Sequence, residues 1–285
     1  MEIIQSLQSV AGPALDAVAL TMTNLGSEEA YIVLLVVVYL AIDARAGRVL
    51  GVALLASFYL NQVLKQAFDT ARPFVEHPEL LRGDAAYRTA PGPAFPSGHA
   101  QSAATFWILA AALARRRRLT LAAVVLTLVI GLTRLYLGVH WPVDVLGGWA
   151  IGIAAAGVAL ALARRRPSAG VALQIAAFVL VPLTLHLTVP TPESGVIAGA
   201  LAGFGIAPLL YRHVPKGAWP RRAGLAAAGL AVAFAWLAAT SLLLPEAVKD
   251  QALVAPARYM ILAWLGLVAT PWAFARWTGV AERGA

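Results

Sequence analysis

Apolar residues run along this chain in long blocks, and the polar breaks between them are short. Such blocks fall at approximately 3–24, 28–43, 48–68, 98–114, 119–138, 143–163, 170–189, 194–211, 223–244 and 256–275. Continuous apolar runs of this kind predict membrane-crossing helices, so the expectation is an all-α, polytopic transmembrane helical bundle of ten spans. The first block is interrupted by Gln5, Gln8, Pro13 and Asp16, and an interfacial amphipathic helix is its competing reading. It lacks the basic flank and the cleavage site of a signal peptide. One connection is long, residues 69–96, with prolines at 73, 78, 91, 93 and 96. A long ordered loop in a tightly connected bundle usually serves function. No internal repeat supports an inverted-repeat transporter.

Composition narrows this picture. Of 285 residues 60% are hydrophobic and 13% charged, about half the charge of soluble domains, which excludes a water-soluble enzyme. The net charge of +8 would in a soluble chain point to nucleic acid, so the placement of the cations decides. With a cytoplasmic N-terminus, 15 of the 22 basic residues fall in inside loops: Arg45, Arg48, Arg115 to Arg118, Arg164 to Arg166, Arg212, Lys216, Arg221, Arg222, Arg276 and Arg283. Lys and Arg accumulate in cytoplasmic loops, so the charge reads as orientation, with both termini inside and no nucleic-acid partner. The absence of cysteine excludes disulfides, thiolate metal sites and Cys nucleophiles.

Three polar clusters then meet at the extracytoplasmic edge of spans three to six. The first is Lys65-Gln-Ala-Phe-Asp-Thr-Ala-Arg72-Pro73. A spacing of seven places Lys65 and Arg72 on one helical face, two turns apart, before Pro73 ends the helix. Either cation alone reads as a snorkelling side chain; together they can clamp an anion. The second cluster is Pro96-Ser97-Gly98-His99, where Ser97 is a good N-cap and Gly98 admits a ligand close to backbone N–H groups. The third is Thr133-Arg134 followed by Gly138-Val-His140-Trp-Pro-Val-Asp144. Here Pro142 opens the next helix, and Asp144 in its first turn can take a hydrogen bond from one ring nitrogen of His140, freeing the other as nucleophile or base. All three clusters land on one side of the membrane at one depth. They combine three cations, hydroxyl and backbone donors and two histidines, which is the composition of a phosphate cradle with an acid and a nucleophile.

The ordered set K-x6-R-P, P-S-G-H and (S/T)-R-x5-H-x3-D resembles the type-2 phosphatidic acid phosphatase superfamily, integral-membrane lipid phosphatases among them. The resemblance covers residues 1–165 and departs only in having Thr133 where Ser is commoner. It implies a six-helix phosphatase core at 1–165, with the extracytoplasmic loop 69–96, and leaves 166–285 as a four-helix C-terminal extension outside the core. It further implies that His140 attacks phosphorus to form a phosphohistidine and Asp144 orients its ring. Lys65, Arg72, Ser97, Gly98 and Arg134 would bind the phosphate, and His99 would protonate the leaving lipid oxygen. No cofactor and no metal are implied, in keeping with the lack of a carboxylate cluster suited to Mg²⁺. Undecaprenyl diphosphate, phosphatidylglycerol phosphate and phosphatidic acid are the substrate types expected, met at the outer leaflet of the cell membrane. A phosphotransferase using the same site and a non-catalytic carrier of anionic lipids are the competing functions.

Outside the motifs, His186 reads as a helix–helix hydrogen bond rather than a site residue. Gly195, Gly199 and Gly203, Gly148 and Gly152, and Gly47 and Gly51 recur at four-residue spacing and permit close helix contact, within the chain or across a homodimer. Arg82, Arg88 and His77 read as solvated loop residues, with help in admitting an anionic headgroup as the competing reading.

Overall fold

A computed structural model of the protein describes residues 1–165, 170–188, 192–249 and 251–278; Arg166, Asp250 and Arg283 lie outside these. The described residues form helices and no strands, and each of the ten apolar blocks is helical over most of its described residues. The chain packs as two compact units, one of residues 1–31 and 57–165, the other of 32–56 and the described part of 166–285. A division at residue 165 therefore leaves out one element: the segment 32–56 groups with the C-terminal helices.

Helices α1 (Glu2–Gln8) and α2 (Pro13–Asn24) open the first unit. They meet at 117° across a four-residue break, because Gly12 is extended and Pro13 can only start a helix. The first apolar block is therefore not one straight span. Helix α3 (Glu28–Val37) continues through a π-helical turn at Val38–Ile42, and α4 (Ala44–Phe68) follows. The long loop carries short helices α5 (Pro73–Glu76) and α6 (Asp84–Arg88). Helix α7 (Gly98–Ala103) passes through a π-helical turn into α8 (Leu109–Ala114); α9 (Arg117–Tyr136) and α10 (Pro142–Arg165) complete the unit. Beyond it lie α11 (Val171–Ile175), α12 (Val181–Thr188), α13 (Pro192–Leu210), α14 (Trp219–Leu243), α15 (Glu246–Lys249), α16 (Val254–Trp264) and α17 (Thr270–Trp277).

Among the described residues seven helical runs are long and apolar enough to cross a bilayer, or eight if the bent α1–α2 pair counts as one span. The two remaining blocks, 28–42 and 98–114, are helical but shorter, reaching about 22 and 25 Å at 1.5 Å per residue against a hydrocarbon core of about 30 Å.

Burial in the first unit is the reverse of a soluble bundle. On α9 the buried positions include Ala123, Thr127, Gly131 and Arg134, while Leu121, Val125, Leu128 and Leu132 are exposed. Large apolar side chains face outward where lipid would lie, and small and polar ones face the neighbouring helices. Helix α10 lies against α7 through Gly148 and Gly152; a Cβ there would stand 2.6 Å from the Ser97 carbonyl oxygen and 2.4 Å from that of Gln101.

The second unit is built similarly. Val36, Tyr39 and Leu40 pack with Leu225, Ala226 and Leu267. Gly199 and Gly203 bring α13 onto α16, with Cβ positions 2.1 Å from the Pro256 oxygen and 2.2 Å from the Ala263 Cβ. These glycines, and Gly47 beneath the Tyr39 backbone, make contacts inside the chain. His186 bridges the Ser194 hydroxyl at 2.8 Å and the Ala252 carbonyl at 2.7 Å, so it acts as a helix–helix clasp.

Candidate active site

All eight residues expected at the site lie in the first unit. Lys65 occupies the last turn of α4. Arg72 does not share that helix as the spacing of seven predicted. Asp69 turns into the left-handed region at φ 40°, and Arg72 is extended at φ −83°, ψ 156°, since a residue before proline disfavours helix. The two cations converge nonetheless on the loop, where the Lys65 ammonium and the Arg72 guanidinium both donate to the Pro93 carbonyl.

Helix α9 ends at Tyr136, and Gly138 makes the turn toward α10 at φ 71°. Only glycine fits there, because a Cβ would stand 1.9 Å from the Leu80 carbonyl oxygen. The turn delivers His140, 2% exposed, against Asp144, 1% exposed. The Asp144 Oδ2 accepts the Trp141 backbone N–H at 2.8 Å and lies 3.3 Å from His140 Nδ1. On the other side of the ring Arg72 Nη1 stands 3.1 Å from His140 Nε2. An arginine can only donate, so the Nε2 lone pair faces it and the ring proton sits on Nδ1, toward the carboxylate. Burial first, then the charges of Arg72, Arg134, Lys65 and His99, hold the His140 pKa well below its ordinary value. The ring is thus a neutral base with its lone pair on Nε2, the form a nucleophile requires.

The third element is the start of α7. Ser97 caps it as expected, its hydroxyl accepting the Ala100 N–H, and its own N–H donates to the Asp144 carbonyl at 3.0 Å, tying this turn to α10. His99 is half-buried in the first helical turn, and its imidazole makes no hydrogen bond among the described residues. Gly26 makes room beside it: a Cβ there would stand 3.3 Å from the His99 ring and 2.8 Å from Ile130.

Sequence reasoning missed the support behind this turn. Asn61 donates to the Pro96 carbonyl at 3.3 Å and to Gln101 Oε1 at 2.8 Å, and the Gln101 amide donates to the Ser57 carbonyl at 2.7 Å and its hydroxyl at 2.9 Å. All four are buried. The available signal was a polar amide inside each of two apolar blocks, a costly placement unless it is paired. Arg82, read as solvated, is instead held by both Asp16 oxygens at 3.0 and 2.7 Å, and Tyr136 donates to the same carboxylate at 2.5 Å. With Gln8, which donates to the Leu80 and Tyr136 carbonyls at 2.7 Å each, this fastens the long loop to the end of α9.

The two arginines differ in what they have left to offer. Every donor of Arg72 is engaged: Nε with Gly92, Nη1 with Val139 and His140, Nη2 with Pro91 and Pro93. Arg134, fully buried, spends its Nη1 on the Thr23 and Thr89 hydroxyls and one Nη2 hydrogen on the Thr89 carbonyl. Its Nε is buried with no hydrogen-bond partner. An open recess of about 620 Å³, lined by Asp69, Arg72, Tyr87, Arg88 and Pro91 among others, leads to Arg72 from outside. Among the described residues no group of three His, Asp or Glu side chains is placed to hold a metal ion.

Comparison with known proteins agrees with this architecture. Residues 46–168 match the PAP2 superfamily, and residues 192–283 match the PAP2 superfamily phosphatase, transmembrane extension. The chain is 36% identical over 104 residues to YbjG of Escherichia coli (strain K12), named as a candidate undecaprenyl-diphosphatase, covering 36% of this chain and 50% of YbjG. It therefore spans half the length of that relative. Phosphatidylglycerophosphatase B of Bacillus subtilis (strain 168) is 28% identical over 154 residues, 50% of this chain and 71% of that one. The crystal structure of Aquifex aeolicus LpxE shares the fold with a TM-score of 0.50 at 24% identity, covering 56% of this chain and 93% of LpxE. With the three motifs inside the first matched region and helices α13 to α17 inside the second, the chain belongs to the PAP2 superfamily and carries that superfamily's transmembrane extension.

Proposed function

We propose that the protein is an integral-membrane phosphatase that hydrolyses the phosphomonoester or diphosphate of a lipid at the extracytoplasmic face, through a phosphohistidine on His140. The observation that carries this reading is the His140 ring, neutral and buried, with Asp144 on Nδ1 and a cation at Nε2. Family membership supports the phosphatase reaction, and the names of the two relatives support a lipid diphosphate or a glycerophospholipid phosphate as substrate.

The chemistry follows from the groups present. Arg72 yields the Nε2 lone pair, which attacks phosphorus as the bond to the leaving lipid oxygen breaks. His99, in the first turn of α7, is the group placed to pass that oxygen its proton. Charge on the equatorial oxygens is met by Arg134, Lys65, the Ser97 hydroxyl and the amide of Gly98. The ring becomes cationic as the P–N bond forms, and Asp144 offsets that charge. Water then attacks phosphorus, giving its proton to His99, and the P–N bond breaks to release phosphate and restore the neutral ring.

The test is release of inorganic phosphate by purified protein from undecaprenyl diphosphate, phosphatidylglycerol phosphate and phosphatidic acid. At least one should be hydrolysed, and His140→Ala should lower the rate roughly a thousandfold or more. Substrate labelled in its terminal phosphate should leave acid-labile, base-stable label on the protein. Undiminished release by His140→Ala would sink the mechanism; release only with an added acceptor would make the protein a transferase, and binding without release a carrier.

A further inference from the structure

We infer that Thr89, from the long loop, and Thr23, from α2, are positioning residues that aim Arg134 at the phosphoryl group; the inference rests on the reading of the site as a phosphate cradle. The geometry is a pincer. Thr89 Oγ1 donates its own proton to the Ala86 carbonyl at 2.7 Å, which fixes the hydroxyl rotor and turns a lone pair toward Arg134 Nη1 at 2.9 Å. The Thr89 carbonyl accepts from Nη2 at 2.9 Å. Together they hold the outer end of the guanidinium. Thr23 Oγ1, fully buried, takes the remaining Nη1 hydrogen at 2.8 Å.

Of the five guanidinium hydrogens, the two left are the Nε hydrogen and the second Nη2 hydrogen, which lie parallel along one edge. That edge is the fork by which arginine grips two oxygens of a phosphate at once. The fully buried Arg134 keeps its Nε without a partner, a costly state for a donor that no water reaches, and a bound phosphoryl group would satisfy it. Arg72, with all its donors engaged, offers no such edge. Removing the Thr89 hydroxyl would let the guanidinium rotate about its long axis and blunt the fork, without changing the charge of the site.

The experiment compares wild type, Thr89→Val, Thr89→Ser and Thr23→Val in detergent micelles, by kcat/KM for phosphate release and by direct titration with orthovanadate, whose trigonal-bipyramidal form mimics the phosphoryl transition state. Thr89→Val should lose about 10- to 100-fold in kcat/KM and weaken orthovanadate by a similar factor. Thr89→Ser, which keeps hydroxyl and carbonyl, should return both to within about threefold of wild type, and Thr23→Val should fall between them. Melting temperatures separate positioning from folding: the expected pattern is lost affinity with a Thr89→Val transition near that of wild type. The inference is overturned if Thr89→Val binds orthovanadate as wild type does. It is equally overturned if Thr89→Ser fails as badly as Thr89→Val, because the hydroxyl would then not be the operative group. Wild type that releases no phosphate yet binds orthovanadate in a Thr89-dependent way would overturn the hydrolase reading and leave the positioning role standing.

Discussion

At His140 two hydrogen bonds decide which ring nitrogen carries the proton, and chemistry follows from that choice. Asp144 takes Nδ1–H and Arg72 faces Nε2, so a pair of neighbours with opposite demands fixes the tautomer. Asp144→Asn keeps an acceptor near the ring but removes the charge that offsets the developing phosphohistidine cation. It should lower kcat by about a hundredfold or more while leaving KM near wild type. The acid limb of the rate profile follows from the depressed His140 pKa. A lowered pKa keeps the ring neutral to lower pH, so loss of activity through this group begins only below its ordinary value of about 6.5. Lys65→Met removes one of the charges that depress it and should move that limb upward; a wild-type limb above 6.5 would contradict the assignment. The identities of these residues were legible because three motifs in fixed order bring chemically matched groups to one membrane face. Thr89 and Thr23 were not, since a threonine that orients an arginine through a fixed hydroxyl rotor looks in sequence like any loop or helix threonine.

Helices place these residues through contacts that tolerate no added atoms. Glycines on α10 admit the start of α7, and with it Ser97 and His99, to within backbone distance. Gly152→Val would drive a Cβ to 2.4 Å from the Gln101 oxygen and 2.7 Å from the Ala104 Cβ, and should cost about 1–3 kcal/mol of stability, read as a lowered melting temperature with reduced phosphatase rate. Gly157, five residues on in the same helix, has nothing within 4 Å of its Cβ position; Gly157→Ala should be neutral or stabilise by about 0.4–1 kcal/mol. Equal effects at both positions would refute the packing account. Element type was legible throughout, since apolar blocks without turn signals have no alternative to helix in a bilayer. Element ends were less so. The spacing of seven between Lys65 and Arg72 reads as one helical face, yet the helix stops at Phe68, and it is the carbonyls of Pro91, Gly92 and Pro93 that gather the cations.

For the molecule as a whole, the charge distribution makes a directional statement. With a cytoplasmic N-terminus, fifteen of 22 basic residues fall in segments expected inside, and the motif cations fall in segments expected opposite. The chain has no cysteine, so single substitutions can report sidedness without background. Glu79→Cys, exposed in the long loop, should react in intact cells with a membrane-impermeant maleimide, whereas Arg116→Cys, exposed between α8 and α9, should react only after the membrane is opened. The reverse pattern would invert the topology and place the site inside.

Helical class, membrane residence and the three motifs are legible in sequence alone, because each depends on composition or on spacing within one segment; the placement of Lys and Arg adds an expected orientation. Tertiary structure alone decided the rest: that the first apolar block bends, that residues 32–56 pack with the C-terminal helices, that Arg82 is bound by Asp16, and that Arg134 rather than Arg72 keeps an open edge. Each of these depends on which atoms from distant segments occupy a donor or a gap, and periodicity along one segment carries no record of that.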